Sequence, residues 1–206
     1  MLDNSDFRNP VNQRGQTSYT GAIYGIDRWR SWIAGNVITV GDGCITISGE
    51  AHFAQYVNND LFRSGQTYTF AVKKTDGSIE VAHGTYPMVE SSIGNGMRFR
   101  LYDGASNVTI DGTGDYLWAA LYEGSYTAET LPPYVPKGYA VELAECMRYF
   151  QNVATQVPNT ALTSTTRAYW IPFYVVMRAA PTITIKTFVE RNNWDQTTIT
   201  SEVNSS

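Results

Sequence analysis

Charge is scarce in this chain, and histidine and cysteine are scarcer still. Charged residues make up 17% of the 206 positions, below the roughly 25% of an ordinary soluble domain, so Thr, Ser, Asn and Gln must keep the surface wet. Such a surface suits an extracellular or particle-bound protein. Fifteen basic residues face nineteen acidic ones, a net charge of −4, and neither sign forms a long run. A polyanionic partner, nucleic acid included, is disfavoured on those grounds.

The two cysteines, Cys44 and Cys146, fall in stretches that read as a strand and a helix, which gives no disulfide framework. They read as reduced, buried residues of a chain folded in a reducing cytosol. The two histidines, His52 and His83, match no zinc-binding spacing. A nucleophile elbow, a phosphate-binding loop and a dinucleotide fingerprint are also missing. No apolar run reaches the length of a membrane span, and Met1-Leu2-Asp3-Asn4 opens no secretory signal. The expectation is a protein without membrane contact, carried outside a cell, if at all, by something other than its own signal.

What the chain does have is hydrophobic alternation with a period of two. In Thr67 to Val72, Tyr68, Phe70 and Val72 share one side; in Gly96 to Tyr102, Met97, Phe99 and Leu101 oppose Arg98, Arg100 and Tyr102. Further runs at Asn36 to Val40, Cys44 to Ser48, Ser78 to Ala82, Val108 to Ile110 and Tyr116 to Tyr122 are separated by Gly41-Asp42-Gly43, Asp76-Gly77, Asp103-Gly104 and Asp111-Gly112. Those turns supply the positive φ that tight hairpins need. The pattern predicts a mainly β fold, an antiparallel β-sandwich of jelly-roll type over residues 1–131.

Leu131-Pro132-Pro133-Tyr134-Val135-Pro136 can be neither helix nor central strand and predicts a linker over 132–137. Lys137 to about Val153 then reads as a helix, with Ala140, Leu143, Ala144, Met147 and Phe150 at helical spacing. Strands are expected at Arg167 to Val176 and Pro181 to Val189. Residues 138–206 thus read as a small helix-plus-strands assembly domain whose apolar faces seek partners.

Leu2-Asp3-Asn4-Ser5-Asp6-Phe7, Asn9-Pro10-Val11-Asn12-Gln13-Arg14-Gly15 and Ile26-Asp27-Arg28-Trp29 resemble the N-terminus of phage and prophage virion proteins, tail-fibre, baseplate or head-fibre components, that carry a carbohydrate-binding-module-like jelly roll. Leu121-Tyr122-Glu123-Gly124-Ser125, Glu142 to Gln151 and Val176-Met177-Arg178-Ala179-Ala180-Pro181 are similar to later landmarks of the same proteins. Met147 stands where a glutamine is common, and the chain ends before the last strands expected, so the second domain reads as incomplete. The resemblance implies a virion protein, made in the host cytoplasm, that engages cell-surface carbohydrate, meets other virion proteins and forms a homotrimer. Jelly rolls of this type often carry a structural calcium ion, for which the resemblance suggests Asn4, Asp6 and Glu123; no cofactor is required.

Sugar binding needs flat aromatic faces and planar polar groups, and aromatics make up 13% of the chain. In Ile26 to Ile33, Trp29 and Trp32 have opposite parity, which puts Trp29 in the core and Trp32 nearer a surface. On Tyr116 to Tyr122, a core face of Leu117, Ala119 and Leu121 leaves Trp118 and Tyr122 on the other side. Those two would join Arg98, Arg100 and Tyr102 in a glycan platform if both strands lie in one sheet. The alternative is an architectural protein whose aromatic face is covered by protein. A glycoside hydrolase built on two of Asp27, Glu50, Asp103, Asp115 and Glu123 is the third reading.

Overall fold

The computed structural model describes residues 2–93, 97–101, 106–157, 159–161, 167–169, 172–190 and 197–204. The chain divides into two compact units, Met1–Glu142 and Leu143–Ser206. Both are mainly β, and every strand pairing is antiparallel.

In the first unit the strands are β1 (Ser18–Thr20), β2 (Asn36–Val40), β3 (Ile45–Gly49), β4 (Phe53–Tyr56), β5 (Thr67–Lys74), β6 (Ile79–Thr85), β7 (Met88–Ile93), β8 (Met97–Leu101), β9 (Asn107–Ile110) and β10 (Gly114–Glu123). They form a six-stranded sheet in the order β1-β2-β3-β10-β5-β6 and a four-stranded sheet in the order β4-β9-β8-β7. Alternation decides which faces meet. Ile38, Ile45, Ile47, Tyr68, Phe70 and Val72 of the first sheet pack in one core with Phe53, Val108 and Ile110 of the second. The β2–β3 hairpin is closed at one end by Gly49 at φ 74; a Cβ there would lie 2.2 Å from the Gly35 carbonyl oxygen, so only glycine fits.

A strap at the N-terminus completes the first sheet. The Phe7 N–H donates to the Leu117 carbonyl at 2.9 Å and the Ala119 N–H to that of Ser5 at 3.0 Å, while the pairing of β10 with β3 covers Gly114 to Tyr116. Where one partner gives way to the other, the pairing of β10 with β5 slips between Tyr116 and Trp118. This bulge corrects the expected face of β10: Tyr116, Ala119 and Leu121 enter the main core, whereas Leu117 turns outward with Trp118.

The second unit holds a three-stranded sheet, β11 (Phe150–Val157), β15 (Thr197–Asn204) and β14 (Thr182–Glu190) in that order, and a two-stranded pair, β12 (Asn159–Ala161) with β13 (Arg167–Tyr169). The helix α1 is shorter than expected, Tyr139–Met147, because Gln151, Val153, Thr155 and Val157 reassert a period of two and continue as strand. The expected strand to Val176 is also corrected, since residues 172–176 carry no strand. Instead Gln151, fully buried, accepts from the Tyr174 N–H at 3.0 Å and donates to the Val175 carbonyl at 2.7 Å. Neither cysteine forms a disulfide; Cys146 is buried and Cys44, expected buried, is half-buried.

Candidate functional site

The outer face of β10 is closed by its own chain. Trp118 is 8% exposed, and the Tyr134 ring lies parallel to it at 4.7 Å and 8°. Leu117, Tyr122, Leu131 and Tyr134 pack around Trp118, Ala71 and Ala120 as a second, smaller apolar cluster. Burial pushes the Tyr134 hydroxyl up to about 12, and the Tyr122 hydroxyl is buried with no partner among the described residues. The expected platform is therefore corrected on two counts. Trp118 and Tyr122 face protein, and β8, which carries Arg98 and Arg100, lies in the four-stranded sheet rather than beside β10. Tyr102 and the side chains of Arg98 and Arg100 lie outside the described residues.

Asn4, Asp6 and Glu123 are not brought together either. The Asn4 amide donates to the Val11 and Asp27 carbonyls at 2.8 and 2.7 Å, and its oxygen accepts from the Val11 N–H at 2.6 Å. Asp6 pairs with Arg8 at 2.7 Å and Glu123 approaches Arg63 at 3.7 Å. Asp6 bridges to Trp118, five residues along β10 from Glu123, a separation of about 17 Å at ordinary strand rise. One ion cannot take ligands from both. Among the described residues no group of three or more His, Cys, Asp or Glu could hold a metal.

The Asn9 to Trp32 stretch builds a different surface. Asn12 shapes its loop by donating to the Gln16 carbonyl at 2.8 Å and accepting from the Gly15 N–H at 3.2 Å. Beyond it, Tyr24 bridges to Arg30, and Arg30 bridges to Ala54 of β4, exchanging two backbone hydrogen bonds of 2.8 Å with it. That register adds the segment to the edge of the four-stranded sheet and fixes the faces of its side chains. Trp29 points inward with no exposure, against Phe7 and Phe53 at 5.2 Å each, and its indole N–H donates to the Asn4 carbonyl at 3.0 Å.

Arg30 and Trp32 take the opposite face. The register puts Trp32 across from His52, and Ala54 has only a methyl group between His52 and Tyr56. The Trp32 ring therefore meets both neighbours edge-on, at 5.1 Å from His52 and 5.3 Å from Tyr56. The Arg30 guanidinium lies over the Tyr24 ring at 5.4 Å and the Trp32 ring at 5.7 Å, and Arg14 approaches Tyr24 at 5.3 Å. Tyr24 is 36% and Tyr56 41% exposed. The result is a ladder of two exposed rings and the half-buried Trp32 between them, interleaved with a cation. Sequence parity placed Trp32; Tyr24, Arg30 and Tyr56 were missed because only the pairing across Arg30 and Ala54 brings them together.

Asp27 holds this surface from behind. It is 1% exposed, and its carboxylate accepts from Arg14 Nη1 and Gln13 Nε2, both at 2.9 Å. Burial raises its pKa, and Arg14 and Gln13 only partly draw it back. With the folded value above the unfolded one, protonation favours the fold, so this group's contribution is full below the unfolded pKa and is lost as pH rises through the folded one. The stability gap between the wild type and Asp27→Asn should accordingly widen in favour of the wild type as pH falls from about 7 to about 4. Paired urea titrations at the two pH values check this; a gap independent of pH contradicts it.

The other described acids are engaged separately. Asp115 accepts from the Thr46 hydroxyl at 2.5 Å, Glu50 packs over Gly35, and Asp103 lies outside the described residues. Comparison with protein-family models, with curated proteins and with solved structures gives no match.

Proposed function

We propose that this chain is a non-enzymatic carbohydrate-binding component of a phage virion, in which the first unit is a jelly roll of carbohydrate-binding-module type. Its glycan face is the ladder of Tyr24, Arg30, Trp32 and Tyr56. The observation that carries the reading is that these rings remain partly open on a segment tied to a sheet edge by paired backbone hydrogen bonds. Rigid aromatic faces suit the C–H side of a pyranose, and the cation between them suits its oxygens. The resemblance of the N-terminal motifs to virion proteins supports the setting. The reading needs no cofactor, and host attachment is the role it assigns.

Binding of the labelled protein to a panel of bacterial surface glycans tests it. Trp32→Ala should weaken the best glycan about thirtyfold, the loss of about 2 kcal/mol expected for a central aromatic contact. Equal affinity of variant and wild type contradicts the assignment.

An architectural role is favoured by one observation in the second unit. Phe173, Tyr174 and Val176 are 43%, 62% and 85% exposed, more apolar surface in four residues than a lone small unit ordinarily leaves open. Such a segment suits contact with other virion proteins or with copies of this chain, a homotrimer in the simplest case. A monomer by light scattering across micromolar concentrations contradicts the oligomer.

A further inference from the structure

Arg30 stands apart from the arginines around it. Arg14 pairs with Asp27 at 2.9 Å and Arg28 with Asp3 at 3.0 Å, so each of those charges is met within the chain. Among the described residues the Arg30 guanidinium meets only rings. Its Nε is buried without a hydrogen-bond acceptor, and among the described residues no carboxylate or carbonyl pairs with any of its nitrogens. Arg30 as a whole is half-buried, and its two Nη atoms have no hydrogen-bond partner among the described residues. The indole N–H of Trp32, beside it, also has no acceptor among the described residues. The ladder therefore offers donors and one uncompensated positive charge, with aromatic walls that lower the local dielectric.

A buried donor left unmet is costly, and a guanidinium is planar and forked, shaped for two oxygens of one anion. Neutral sugars do not need such a group, since uncharged amides and hydroxyls serve their oxygens. Resting on the glycan-binding reading, we propose that the ladder selects a saccharide carrying a single oxyanion, with the ring stacked on Trp32 or Tyr56 and the anion on Arg30. One unpaired charge fits one anionic substituent at a time. This agrees with a chain whose net charge of −4 disfavours a dense polyanion.

The test uses the full chain and a panel of bacterial surface polysaccharides in three forms: native, carboxyl-reduced, and dephosphorylated with hydrofluoric acid. The bound native polysaccharide should lose about tenfold in affinity in one treated form, and which one tells carboxylate from phosphate. Arg30→Gln should bind native and treated forms alike, at the affinity the wild type shows for the neutralised one. Arg30→Lys should restore only part of the preference, because it keeps the charge and loses the fork. Since the Arg30 side chain makes no hydrogen bond among the described residues and an exposed cation–ring contact adds little to stability, both variants should unfold close to wild-type urea concentrations, which separates binding from folding. Wild-type affinity unchanged by both treatments overturns the oxyanion assignment and leaves glycan binding standing. No binding to any polysaccharide overturns both.

Discussion

Asn4→Ala should cost the first unit about 3 to 5 kcal/mol, the largest loss expected from any single polar substitution here. Asn4 is 1% exposed and spends its whole amide on backbone: two donated hydrogen bonds and one accepted one join Val11, Asp27 and the N-terminal strap. Alanine leaves the Asp27 carbonyl and the Val11 N–H buried and unmet, each costing about 1 to 3 kcal/mol before relaxation, while the Val11 carbonyl keeps the Asp27 N–H at 3.1 Å. Asn4 also sits at φ 49, a left-handed conformation that alanine adopts at a cost of about 1 kcal/mol. Asn4→Gly removes that second cost alone and should be milder than alanine by about that amount. Asn4→Asp keeps the acceptor but turns a buried anion toward two carbonyls, so it should be no better than alanine. Urea unfolding of the three variants checks the order. A loss below about 1 kcal/mol for alanine would mean that the strap is not held as described.

Trp118→Ala should cost about 3 kcal/mol and leave glycan binding within twofold of the wild type. The cost follows from emptying the centre of the small outer cluster, where large-to-small changes at an aromatic run to 3 to 5 kcal/mol and slight residual exposure trims the figure. Its stacked partner supplies a second readout. With Trp118 gone, Tyr134 loses the cover that pushes its hydroxyl up to about 12, so its alkaline titration should move down toward the ordinary tyrosine value of about 10. The folded value lies above the unfolded one, so this tyrosine's share of stability is full below pH about 10 and is lost as pH climbs from there through the folded value of about 12. Trp118→Ala combined with Tyr134→Ala should cost less than the sum of the two, since both remove one contact. Strict additivity would contradict the stacking.

Periodicity made much of this legible. The alternation of Tyr68, Phe70 and Val72 identified a core face, and opposite parity separated Trp29 from Trp32, because a strand with one buried face leaves no freedom in either choice. Leu117 was misassigned because a bulge is set by a change of pairing partner, from β3 to the strap, that no local pattern records. Trp118 appeared available for the same kind of reason. What covers it is Tyr134, sixteen positions later in a proline-rich stretch that reads as linker. Sheet membership was equally hidden: β8 and β10 carry similar alternation, and only long-range pairing divides them between sheets. At the helix, the stripe from Ala140 to Phe150 fits a period of 3.6, but strand pairing claims its last residue. Of the ladder only Trp32 was visible, set apart from Trp29 by its parity, while Tyr24, Arg30 and Tyr56 join it through bridges between distant segments.

The most direct measurement is a side-by-side glycan titration of wild type, Trp32→Ala and Trp118→Ala, each at a urea-free temperature where all three are folded. Trp32→Ala should lose about thirtyfold in affinity at near wild-type stability, whereas Trp118→Ala should lose stability and keep affinity. Loss of binding in Trp118→Ala with none in Trp32→Ala would contradict the ladder assignment and return the function to the face that Tyr134 covers.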